Sequence, residues 1–156
     1  MPPPLVPFTM QTFAVFFTLL LLGGKRGTLS VLVYLLLGAA GVPVFSHFTG
    51  GAGVLLGPTG GYLIGFLLTG LIYLAAEQLS DRRLLAAALP AGLLVCYAFG
   101  TAWFLVVYTR TKGAVSVGTA LTWCVLPFVI PDLAKLWLAH FLAARVRSAV
   151  RSRSLS

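Results

Sequence analysis

Apolar residues fill this chain in long runs, and short clusters of glycine and charge separate them. The first run is about Phe8 to Leu22 and stops at Gly23-Gly24-Lys25-Arg26-Gly27. The second is about Thr28 to Ala40, and a glycine-rich stretch from Gly41 to Gly61 follows it. The third, about Tyr62 to Ala76, is closed by Glu77 and Asp81-Arg82-Arg83; the fourth, about Leu84 to Tyr108, is closed by Arg110 and Lys112. The last is about Ala114 to Ala144 and ends in arginines. The pattern predicts an all-α bundle with five membrane-spanning helices. A bilayer core needs roughly 20 helical residues, so the first three runs reach that length only with their Gly and Thr flanks. The last run has 31 residues, roughly 46 Å of helix and too long for one straight span. Pro127 and Pro131 lie within it, so a kink or break is expected there.

Composition identifies the solvent these runs meet. The chain has 156 residues, 59% hydrophobic and 9% charged, with a mean hydropathy of +1.00. A soluble domain carries about 25% charged residues, so lipid must take the place of water around this one. The length suits a single bundle, residues 1–147, with a basic tail at 148–156. The net charge of +8 does not form one basic face. It flanks the apolar runs, as the positive-inside rule expects, and argues against nucleic-acid binding. With Arg145, Arg147, Arg151 and Arg153 in the cytoplasm, five helices also place Arg82-Arg83 and Lys25-Arg26 inside. The glycine-rich stretch and the start, Pro2 to Pro7, then fall outside, and only Arg110 and Lys112 break the rule. The Met-Pro-Pro-Pro start lacks the basic segment that opens a signal peptide. Cys96 and Cys124 lie inside apolar runs without metal spacing and read as small buried hydrophobes.

Few residues can carry chemistry. Asp132 and Lys135 are three apart and share a helix face. Asp132 stands thirteen residues before Arg145, about 20 Å of helix and near or just outside the bilayer midplane. Ionisable groups at that depth face a cavity or a partner. Either Asp132 caps the helix after Pro131 with Lys135 as its partner, or the two form a polar cluster for a small polar ligand.

The stretch Gly50 to Tyr62 is neither a Walker loop, which needs Gly-Lys-Ser/Thr, nor a dinucleotide fingerprint, which needs a preceding strand. Gly57, Gly61 and Gly65 recur every four residues and suit tight helix packing. An uncharged connection of this length with Phe45, Phe48 and Leu55 also suits an apolar lid. Gln11, at the head of the first helix, can donate and accept, or can simply mark the membrane interface. His47 and His140 are far apart in sequence, and Glu77 is expected to pair within the neighbouring basic loop. No nucleophile–base pair emerges, so an enzyme is not expected.

Three stretches resemble one family. Val6-Pro7-Phe8-Thr9-Met10-Gln11 is similar to its Pro-x-Thr-x-Gln segment at the head of a helix. Gly41-Val42-Pro43-Val44-Phe45, followed by Gly57-Pro58-Thr59-Gly60-Gly61-Tyr62-Leu63-Ile64-Gly65-Phe66, resembles its most specific segment. Leu126-Pro127-Phe128-Val129-Ile130-Pro131-Asp132-Leu133-Ala134-Lys135 resembles its Pro-Phe-x-x-x-Asp-x-x-Lys motif. The family is BioY, the biotin-specific S components of energy-coupling-factor (ECF) vitamin transporters.

The resemblance implies a six-helix S-component bundle in the bacterial plasma membrane, without catalytic activity or cofactor. It implies that biotin is taken from outside under the loop Gly57, Pro58, Thr59, Gly60 and Gly61. The partners implied are an ECF transmembrane coupling protein and two ABC-type ATPases. Biotin offers two ureido N–H donors, a C=O, an apolar thiophane ring and a carboxylate. Asp132 would accept a ureido N–H, Lys135 would serve the ureido oxygen or the carboxylate, and Gln11 either. Tyr62, Tyr34 and Phe45 would line the rings. The family has a helix before the Pro-x-Thr-x-Gln segment, so this sequence is expected to lack the first of six. An S component for another vitamin, or a membrane scaffold without a ligand, are the competing readings.

Overall fold

A computed structural model of the chain describes residues 10–45 and 48–155. The Val6–Thr9 part of the first motif and His47 lie outside the described residues. The elements are α1 (Gln11–Leu22), α2 (Gly24–Ala39), α3 (Ala52–Leu56), α4 (Gly60–Gln78), α5 (Arg82–Lys112), α6 (Val117–Cys124) and α7 (Leu126–Ser154). Helices α4, α5 and α7 are long and apolar enough to cross a membrane on length and composition. Of the five expected spans, α1 has 12 described helical residues and α2 has 16, both short of the roughly 20 that a bilayer core needs. The outer surface is apolar: Leu36 is 61% exposed, Leu94 68%, Ile130 79% and Trp137 69%. Water would not tolerate such a surface, whereas lipid does.

The element boundaries differ from the sequence pattern where a backbone group finds a partner. Lys25 and Arg26 do not end a run but lie in the first turn of α2. That turn is held by Glu77, whose Oε2 accepts the Gly24 N–H at 2.7 Å, an acidic side chain at a helix start. Glu77 thus caps a neighbouring helix in addition to standing beside the basic segment. Gly24 allows this approach, since a Cβ there would lie 2.6 Å from the Leu74 Cα. Asp81 caps α5 through the Arg83 N–H at 2.8 Å.

The long last run is broken at Val125, between α6 and α7. Pro127 in the first turn of α7 has no N–H to return to the preceding helix, and its ring crowds the carbonyl four residues back. Pro131 lies inside α7 without ending it. The basic segment at 148–154 continues α7.

Helices α4 and α5 pack through small residues at four-residue spacing. A Cβ on Gly65 would lie 3.0 Å from the Cys96 Cα, one on Gly92 would lie 3.1 Å from the Thr69 Cα, and one on Gly100 would lie 2.3 Å from the Tyr62 ring. The Thr69 hydroxyl reaches the carbonyls of Gly65 at 2.9 Å and Gly92 at 3.0 Å. Gly61 and Gly65 therefore serve packing as their spacing suggests, but Gly57 does not: it ends α3, outside α4. Its carbonyl accepts the Trp103 Nε1–H at 2.9 Å. The glycine-rich stretch is thus partly helical. Gly60 and Gly61 belong to the first turn of α4, which leaves Gly57, Pro58 and Thr59 as the connection proper. On the opposite side, α1 packs against α7, and Val15, Phe16, Leu19, Leu136, Ala139 and Ala143 are buried in the core.

Two outcomes follow. Gly65→Val places branched carbons against the Cys96 backbone and should destabilise by about 1–3 kcal/mol, read as a lower thermal midpoint in detergent; an unchanged midpoint would mean the two helices can separate freely. Trp103→Phe keeps an aromatic ring, though a smaller one, and leaves the Gly57 carbonyl without its donor. Amide exchange around residues 57–60 should speed about fivefold, the equivalent of about 1 kcal/mol, while exchange in α7 stays as it was.

Candidate functional site

The buried charges are Asp132 and Lys135 of α7. Asp132 is 4% exposed and Lys135 6%. The Lys135 Nζ donates to Asp132 Oδ1 at 3.0 Å, the i,i+3 spacing placing both on one face of α7. Asp132 is the seventh residue of α7, not its cap. Its second oxygen, Oδ2, accepts the Tyr97 hydroxyl from α5 at 2.5 Å. The carboxylate therefore holds one charged donor from its own helix and one neutral donor from across the bundle, which is the arrangement a buried ion needs.

Above Tyr97 on α5, Thr101 and Tyr62 of α4 share a hydrogen bond of 3.0 Å between their hydroxyls. The Cys96 thiol donates to the Tyr62 carbonyl at 3.5 Å, and Cys124 neighbours the Tyr62 hydroxyl. Both cysteines are buried and free, so they fill space beside the tyrosine. Phe104 stacks on Tyr108 with ring centroids 5.1 Å apart, and Tyr108 meets Trp123 of α6 edge-on at 6.4 Å. One wall is thus aromatic, with a few placed polar groups, as small-ligand sites are. Among the described residues, no group of three His, Cys, Asp or Glu gathers to hold a metal ion.

Gln11, Tyr34 and Phe45 form a second group. The Gln11 Nε2 donates to the Tyr34 hydroxyl at 2.5 Å, which joins the heads of α1 and α2. Phe45 meets Tyr34 edge-on at 5.5 Å and covers Gly38, where any Cβ would strike its ring. Phe45 bridges to Thr49, and the Gly51 N–H donates to the Gly38 carbonyl at 2.5 Å, so the connection folds back over the end of α2. Phe48 is 89% exposed with φ of 57°, an unfavourable backbone for a bulky side chain. Beneath Gln11 and Tyr34 a crevice of about 180 Å³, also lined by Ala14, Val15, Thr18 and Val31, runs between α1 and α2.

The structure brings Tyr62 to the same wall as Tyr97, the direct partner of Asp132, and ties Gln11 to Tyr34 and Phe45. Tyr97 is the member that sequence reasoning missed. It sits in the middle of a 31-residue apolar helix, where a tyrosine reads as bulk; only the rule that a buried phenol finds a partner could have flagged it.

Comparison with known proteins agrees with this architecture. The model of the BioY family matches residues 1–152. The chain is 45% identical over 143 residues to the biotin transporter BioY of Thermotoga maritima, covering 91% of this chain and 81% of that protein. It is 40% identical over 142 residues to a probable biotin transporter BioY of Pyrococcus horikoshii, with the same 91% and 81% coverage. Among solved structures it superimposes on the S component for biotin from an ECF-type ABC transporter with a TM-score of 0.79 and 28% identity, covering 95% of this chain and 79% of that one. On the family match and these identities, the chain is an all-α, multi-pass membrane protein that belongs to the BioY family.

Proposed function

We propose that this chain is the biotin-binding membrane subunit of an uptake transporter. It takes biotin from the outer side and works with an ECF coupling protein and two ABC-type ATPases. The observation that carries the reading is the buried Asp132–Lys135 pair, 3.0 Å apart, in a chain of this family. In a bundle surrounded by lipid, such a pair marks the place where a polar ligand exchanges its water for protein.

The chemistry matches residue by residue. Two of the four lone-pair sites of Asp132 are taken by Lys135 and Tyr97, and the rest are free to accept ureido N–H groups. Lys135, beside Asp132, would turn its ammonium to the ureido oxygen or the carboxylate. Gln11 can donate or accept, and Tyr62, Tyr34 and Phe45 supply flat apolar surface for the fused rings. The connection Gly57-Pro58-Thr59, with Gly60 and Gly61 at the head of α4, covers the site. Lys25, Arg26, Arg82, Arg83 and the arginines of α7 flank the same ends of their helices in the five-span order, which supports a cytoplasmic side for that end and for the C-terminus. Residues 1–147 then form the transport domain, and the final turns of α7 form its basic end.

Asp132→Asn and Lys135→Ala should each weaken biotin binding about tenfold or more, the cost of losing a hydrogen bond to a charged group, while the protein still inserts. Calorimetry on purified protein reads this. Parent-like affinity in either variant would remove the ion pair from the site, and a parent chain that binds no biotin would leave a scaffold.

A further inference from the structure

Lys135 cannot by itself fix Asp132 within the bundle, because both residues belong to α7 and move together. The cross-helix tether is Tyr97. It stands midway along α5, fifteen residues from Arg82 and fifteen from Lys112, about 22 Å from either end. The backbone under Tyr97 is itself held: Cys96, its neighbour, packs on Gly65 and bonds the Tyr62 carbonyl, and Thr101 bonds the Tyr62 hydroxyl one turn on.

We propose that Tyr97 is a positioning residue for ligand recognition: its hydroxyl, 2.5 Å from Asp132 Oδ2, locks the carboxylate so that its unused lone pairs face the incoming N–H donors. The inference rests on the reading of Asp132 as the ligand's acceptor. A carboxylate gripped only by Lys135 can turn about its own side-chain bonds, and the ligand must then stop that motion. Gripped from α5 as well, it is oriented before the ligand arrives, and pre-orientation of this kind raises affinity without adding a contact. The same geometry makes the cluster electrically neutral, one carboxylate against one ammonium and one phenol. It therefore suits an uncharged donor group such as a cyclic urea, and a cation would find no charge left to pair with.

The test uses the full-length chain in detergent. Tyr97→Phe keeps the ring and removes only the donor. Its biotin affinity should fall about tenfold, and in the Asp132→Asn background the same change should cost nothing further, because the phenol acts through the carboxylate. The Asp132 carboxylate stretch, assigned in the infrared difference spectrum by its absence in Asp132→Asn, should shift in Tyr97→Phe. A purely packing role for the ring would leave that band in place. Affinity within about twofold of the parent, losses that multiply in the double variant, or an unmoved band each overturn the proposal. If the parent itself fails to bind biotin, the functional reading falls, and the infrared band still decides whether Tyr97 holds the carboxylate.

Discussion

A carboxylate and an ammonium held 3.0 Å apart inside a lipid-facing bundle constrain everything built around them. Burying either ion alone costs several kcal/mol, and removing one partner of a buried pair typically costs about 3–5 kcal/mol. Their mutual attraction offsets that only if the remaining oxygens and protons also find partners. Tyr97 supplies one from α5. Tyr97 reaches the pair by its side chain alone, so for the phenol to stay in place α5 must be held by something other than the pair itself.

What holds α5 is α4. Lipid tails are as apolar as leucine, so the two helices gain nothing by hiding leucines from each other; close backbone approach and interhelical hydrogen bonds must do it. Gly61, Gly65 and Thr69 on α4 meet Gly100, Cys96 and Gly92 on α5, with the Thr69 hydroxyl bridging to the Gly92 carbonyl. Such packing leaves little slack, so the polar groups that stand on these helices, Tyr62, Tyr97 and Thr101, are fixed with them. The connection before α4 is tied to the same unit by the Trp103–Gly57 hydrogen bond. Rigidity thus runs from the glycines to the tyrosines to the carboxylate.

Much of this was legible in the sequence. Runs of apolar residues locate helices because lipid requires them, and a charged pair in such a run is conspicuous because it is costly. The four-residue recurrence of Gly61 and Gly65 indicated a close helix partner, although Gly57, in the same series, lies outside the helix: spacing alone does not tell where a helix starts. The start of α2 at Gly24 depends on Glu77, distant in sequence, whose carboxylate accepts the Gly24 N–H. The break at Val125 falls just before Pro127, not between the two prolines, since only Pro127 sits where the previous helix would have needed its N–H. Tyr97 was invisible for a different reason. Its role comes from a residue 35 positions away, and no local pattern distinguishes a tyrosine that donates to a carboxylate from one that fills space.

The central claim is that Asp132 is the acceptor at the heart of a biotin site. The most direct measurement is a solid-state NMR dipolar contact between ¹⁵N in the ureido ring of bound biotin and ¹³C in the Asp132 carboxyl group. The account predicts a distance under about 4 Å, that of an N–H donating to a carboxylate. Bound biotin with no such contact to Asp132 would contradict it.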